Sequence, residues 1–228
     1  MRIKRKPSFE ILKRFQLIPT EYGTPAVFFH CNTPKTWQNF IKAHFTKRLS
    51  EKELKFQKTI SNASFRLAGL EMKIGLLLAD DEAKVIGSKT LSDAIRPSIV
   101  IDSVLSTFSI LEGLTILSYL SSLSAEYRIG QIARKKRGNK ISKGLKVSMG
   151  KSFSSEVNRL RTLRDRCIHQ DSADLKDGRD YEHVFRTDEL RPHIELLHSY
   201  LKSLETEKPR LPETNLKEFW SLDFTGHS

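Results

Sequence analysis

The chain has 228 residues, with Lys+Arg 39 against Asp+Glu 27 and a formal net charge of +12. That length accommodates one large domain, or a domain with an elaborated end, around a proper core. The charge suits a polyanionic partner such as nucleic acid and disfavours an acidic one, while saying nothing about fold.

Residues 1–35 read as an irregular N-terminal region. Turn signals at Ile18-Pro19, Tyr22-Gly23-Thr24-Pro25 and Asn32-Thr33-Pro34 bracket a possible strand, Ala26 to His30. The basic start, Met1 to Pro7, is followed by no apolar signal core, so a cytoplasmic location is expected. Cys31 and Cys167 lack metal-ligand spacing, which fits a reducing compartment and no structural zinc. Thr36 is a candidate cap for a helix through about Leu49, with Trp37, Phe40, Ile41 and Phe45 on one face. Ser50-Glu51-Lys52-Glu53 has capping-box spacing and opens a second helix that should end near Asp80-Asp81. Leu54, Ile60, Phe65, Leu67, Leu70 and Ile74 to Leu78 are its expected apolar side.

Ser88 to Arg96 reads as a linker, and Pro97 is placed to open the next helix, about Ser98 to Ser124. This helix approaches membrane length, but Asp102 and Glu112 interrupt it, so it is expected to be the central helix of a bundle. Glu112 near its middle either faces solvent or pairs with Arg161 or Arg164 to orient them. Residues 128–151 hold Arg128, Arg134, Lys135, Lys136, Arg137, Lys140, Lys143, Lys146 and Lys151 with no acidic residue. Gly130, Gly138, Gly144 and Gly150 punctuate the segment, and it reads as a flexible basic loop able to follow a phosphate backbone. Without aromatic interleaving beyond Tyr127 and Phe153, base stacking is not indicated there.

Ser154 or Ser155 opens a helix to about His169, with Leu160, Leu163, Cys167 and Ile168 as its buried stripe. A polar loop follows, and Asp188 caps a last helix, Glu189 to Glu205, with Pro192 in its first turn. His193 and His198 lack a partner at metal spacing and read as surface or packing residues. Beyond them, Phe219, Trp220 and Phe224 could pin an extended tail to the body.

The end of the 154–169 helix concentrates the chemistry. Asp165 and His169 are four residues apart and share a helical face, so a carboxylate there can fix an imidazole tautomer. Arg164 is five residues from His169, about 140° around the helix, where one copy would hold the pair loosely. Two copies across a symmetric dimer would furnish a better cleft. No Walker loop, GxGxxG, paired-carboxylate cluster or Gly-x-Ser-x-Gly elbow is present, and no cofactor or metal is expected.

The run Arg164-Asp165-Arg166-Cys167-Ile168-His169 resembles the Arg-x(4–6)-His signature of the HEPN superfamily, and Ser103 to Glu112 is similar to the early helix of that family that carries an inward acidic residue. The resemblance covers roughly residues 97–206. It implies an all-α bundle, usually dimeric, and often a metal-independent ribonuclease acting as a toxin or in phage defence; some members are non-catalytic scaffolds or RNA binders. The expected organisation is an N-terminal region (1–35), helices packing on the bundle (36–96), a HEPN-like bundle (97–206) and a tail (207–228).

Two functions follow as expectations. The first is an endoribonuclease in which His169 moves protons, Arg164 holds the scissile phosphate and Asp165 orients His169. Arg161, Arg166, Arg134, Lys135, Lys136, Arg137 and Lys140 would contact RNA, and an antitoxin or defence-system protein is a further possible partner. The second is a non-catalytic helical module binding RNA or protein. Family members modified by a nucleotidyltransferase antitoxin often have Tyr two residues after the motif histidine; Asp171 stands there instead, which argues against that regulation.

Overall fold

The computed structural model describes residues 16–18, 26–28, 31–45, 54–85, 91, 95–123, 137–169, 187–206, 209–214 and 219–220. The fold is all-α. Its described helices are α1 (Pro34–Phe45), α2 (Leu54–Val85), α3 (Ile95–Ser121), α4 (Arg137–Met149), α5 (Ser154–His169) and α6 (Thr187–Ser203). A short antiparallel ribbon precedes them, β1 (Gln16–Ile18) and β2 (Ala26–Phe28), paired Gln16 with Phe28 and Ile18 with Ala26.

Helix α3 is apolar on every side because it has neighbours on every side: α2, α4, α5 and α6 all pack against it, and α1 packs on α2. It is the one described helix long and apolar enough to cross a membrane, and the bundle accounts for that apolarity by burying Val100, Val104, Ile110, Leu111, Leu114 and Leu117. Several of its buried hydroxyls are satisfied within the helix. Ser103 Oγ donates to Ile99 O at 2.7 Å, Thr107 to Ser103 O at 2.8 Å and Thr115 to Leu111 O at 2.5 Å. Ser118 instead shares a 2.7 Å hydrogen bond with the fully buried Tyr200 hydroxyl of α6. A serine-rich helix can therefore form the core without leaving buried hydroxyls unpaired.

Several boundaries differ from the sequence expectation. Thr33, not Thr36, caps α1: its Oγ1 accepts from the Thr36 N–H at 3.2 Å, the geometry of a cap bonding the third residue of the helix. Helix α2 runs on past Asp80-Asp81 to Val85, because Arg96 neutralises that pair. The proposed capping box at Ser50 to Glu53 lies outside the described residues. Helix α3 begins at Ile95, which leaves Pro97 inside the first turn, where it forfeits no intrahelical bond. Helix α6 begins at Thr187, so Pro192 sits beyond the first turn and the Asp188 carbonyl loses its intrahelical donor.

The largest correction concerns the basic segment. Residues 137–149 form a helix rather than a flexible loop, and Gly144 is the reason it fits. A Cβ built on Gly144 would lie 1.8 Å from the carbonyl oxygen of Thr115. The glycine lets the α4 backbone lie directly on α3. Gly150 then ends α4 with φ +74, donating to Lys146 O at 2.9 Å.

Ion pairing joins α2 to α3. Arg96 reaches Asp80 Oδ2 at 2.7 Å and Asp81 Oδ1 at 2.6 Å, and the Leu91 N–H donates to Asp80 Oδ1 at 2.9 Å. Asp80 is fully buried. Arg96→Ala is expected to destabilise the chain by roughly 3–5 kcal/mol, since it removes the cation paired with a buried carboxylate. Urea unfolding measures this, and a double variant with Asp80→Asn should recover part of the loss.

Two aromatic residues of the tail pack on the body. Phe219 is fully buried, and Trp220 stacks on His198 (4.5 Å between centroids, 3° between planes) and meets Trp37 edge-on at 6.3 Å. His44 of α1 bonds the Leu204 carbonyl through Nδ1 at 2.9 Å. Both histidines of α6 are thus packing residues. Burial lowers His193 and His198 to about 4, aided by Arg159 beside His193 and by Lys202 beside His198. Their folded values lie below the ordinary 6.5, so the unfolded chain binds more protons between pH 4 and 6.5. The contribution of these neutral histidines is fully present above pH 6.5 and should be lost as pH drops toward 4, by about 3 kcal/mol for His193. Urea unfolding across that window, with His193→Gln flattening the slope, checks this.

Candidate nucleic-acid interface

Helix α5 forms because Val157, Leu160, Leu163 and Cys167 recur at three-and-four spacing and are buried against the bundle. Ile168, expected in that stripe, is 47 % exposed. Burial pushes the Cys167 thiol up to about 11, so it packs as an inert thiol.

The remaining faces of α5 carry the charges. Arg164 is held on two sides, by a hydrogen bond from Nη1 to Asp165 Oδ1 and by the Phe108 ring of α3, 5.0 Å from its guanidinium carbon. Asp165 Oδ2 lies 3.7 Å from Nε of Arg161, one turn earlier. Asp165 is therefore shared between two arginines, at 38 % side-chain exposure against 34 % for Arg164 and 62 % for Arg161. Arg166 is exposed. Helix α5 extends to His169, whose side chain lies outside the described ones.

Glu112 does not make the ion pair considered for it. It is half-buried on α3, one turn from Phe108, and the described ion pairs of Arg161 and Arg164 go to Asp165. Asp165 is nearer to both because it shares their helix.

Helix α4 and the turn after it carry further cations. Lys143, Lys146 and Lys151 are exposed, with the ammonium groups of Lys143 and Lys151 over the rings of Tyr119 (5.4 Å) and Phe153 (5.1 Å). Arg159 adds a further exposed charge from α5. Arg137 and Lys140 belong to α4, but their side chains lie outside the described ones, as do Arg134, Lys135 and Lys136 entirely. The basic segment is thus presented, in its described part, on a rigid helix packed against the same α3 that supports α5.

Sequence reasoning missed Phe108 as a support for Arg164. It also missed the polar cleft between α1 and α2, where Phe65, counted with the apolar side, is 64 % exposed. The signal lay in the face Lys35, Gln38, Asn39, Lys42 opposite the buried aromatics of α1. Among the described residues, no group of three or more His, Cys, Asp or Glu side chains could share a metal ion. No family model, curated protein or solved structure matches the chain.

Proposed function

We propose that this chain is a HEPN-type endoribonuclease that cleaves RNA without a metal, in the setting of a toxin or phage-defence effector. The observation that carries the reading is Arg164. Its guanidinium is fixed by Asp165 and Phe108 and remains one-third exposed, five residues before the histidine that ends the same helix. The exposed lysines of α4, a helix packed on the same α3, supply further phosphate attraction.

RNA carries its own nucleophile. The 2′-oxygen bonds to the adjacent phosphorus as the bond from phosphorus to the 5′-oxygen breaks; one proton leaves the 2′-hydroxyl and another is delivered to the 5′-oxygen. His169 serves these transfers, one copy removing and the partner copy of a homodimer donating. Arg164 neutralises charge gathering on the non-bridging oxygens. Incubation with mixed tRNA and mRNA in EDTA tests the reading: cleavage is expected from the wild type and not from His169→Ala.

A specific observation favours a second reading, a non-catalytic RNA-binding module. Asp165 already occupies Arg161 and Arg164, so a phosphate must compete with a carboxylate for the same guanidinium. RNA binding without cleavage would select it.

A further inference from the structure

A cleft of about 540 Å³ opens between α1 and α2. One wall is a single helical face of α1: Lys35, Gln38, Asn39 and Lys42 follow one another at the i, i+3, i+4, i+7 spacing. The opposite face of α1 buries Trp37, Phe40, Ile41 and Phe45, so the orientation of this polar face is fixed by the core. The other wall is α2, which contributes Ser61, Ser64 and Phe65. Among the described residues, the cleft lining holds two lysines and no acidic residue.

Phe65 is the residue that needs an explanation. It stands 64 % exposed at a cationic cleft, while its helix neighbours Ser64 and Leu67 are buried. An exposed aromatic ring beside two ammonium groups and two carboxamides presents three kinds of contact that a nucleotide unit uses. A base stacks on the ring, its edge meets the amides of Gln38 and Asn39, and its phosphates meet Lys35 and Lys42. The two lysines are about 10 Å apart along the helix axis, so they can serve successive phosphates rather than one. Lysines, carboxamides and an exposed ring, with no acid among the described lining residues, match the phosphates and base of a nucleotide.

We infer that the α1–α2 cleft is a second RNA site, one that holds a single-stranded segment by stacking an unpaired base on Phe65 between Lys35 and Lys42. It lies across α3 from the arginine motif. Lys73 of α2 bonds Ser106 while Phe108 supports Arg164, and those two α3 positions point about 160° apart. The strand held there is therefore a flanking segment, not the scissile step. The choice of RNA as ligand rests on the function proposed above; the cleft and its stacking ring do not.

Fluorescence anisotropy with a labelled single-stranded oligoribonucleotide, a duplex of the same sequence and free AMP tests this on the full chain. Phe65 is exposed, so Phe65→Ala should fold normally, and circular dichroism verifies that. The variant is expected to weaken single-strand binding about tenfold and leave duplex binding unchanged. Lys35→Ala and Lys42→Ala should each lower the slope of log affinity against log salt by about 0.7. Ultraviolet crosslinking of 5-iodouridine RNA should label the Phe65 peptide. Unchanged single-strand affinity in Phe65→Ala overturns the inference, as does AMP binding as tightly as the oligonucleotide. Loss of stacking-dependent binding in a protein that cleaves no RNA would leave this site standing and remove the ribonuclease reading. Cleavage that is indifferent to Phe65, with unchanged affinity, would do the reverse.

Discussion

Gly144→Ala should be the most damaging single-methyl substitution among the described residues, lowering stability by about 3 kcal/mol or more. Alanine is normally the better helix former by about 1 kcal/mol, so on propensity alone the change should help α4. The added Cβ, however, would stand 1.8 Å from Thr115 O and 2.5 Å from its carbonyl carbon. These are backbone atoms of the central helix and cannot rotate away, so α4 must lift off α3. Overpacking of this kind costs ~1–3 kcal/mol when side chains can yield, and more when they cannot. The internal control is Gly69→Ala on α2, where a Cβ meets nothing within 4 Å. There the propensity gain should survive, as a stabilisation of up to about 1 kcal/mol. Opposite signs for two Gly→Ala changes in urea melts are expected. Equal signs would mean that α4 does not lie on α3 as described.

The second large effect is chemical. Arg164→Ala should reduce RNA cleavage by about 10²–10³-fold, the usual cost of removing a group that stabilises charge in the transition state. Its effect on folding should be small, about 1 kcal/mol or less, because the Arg164–Asp165 pair is more than a third exposed on the acid side. Arg164→Lys should not restore the rate, since an ammonium loses both the bidentate fork and the flat face that lies against Phe108. Asp165→Asn separates two roles. If Asp165 mainly restrains the arginines, freeing Arg161 and Arg164 should tighten RNA binding while cleavage falls, which gel shift and single-turnover assays resolve.

The helices were legible from periodicity where one face is apolar and the other polar. Trp37, Phe40, Ile41 and Phe45 of α1, and Leu160, Leu163 and Cys167 of α5, are buried as their spacing requires. The central place of α3 followed from its apolarity on all sides. What pattern could not reveal was the reason for a glycine. Four glycines among nine basic residues suggest a broken chain, yet Gly144 is a contact surface and belongs to a helix. Phe65 failed in the other direction, because an aromatic residue near apolar spacing is counted inward by default and only the packing shows it facing out. Glu112 was correctly placed on α3, but a carboxylate on the same helix as the arginines, Asp165, takes the ion pairs considered for it. Local partners win because they need no second element to be positioned.

The central claim turns on the ends of the RNA fragments. Wild-type protein incubated with RNA in EDTA should leave 2′,3′-cyclic phosphates and 5′-hydroxyls, and His169→Ala should leave the RNA intact. Fragments ending in 3′-hydroxyl and 5′-phosphate, or equal cleavage by the two proteins, would contradict an attack by the 2′-oxygen served by His169.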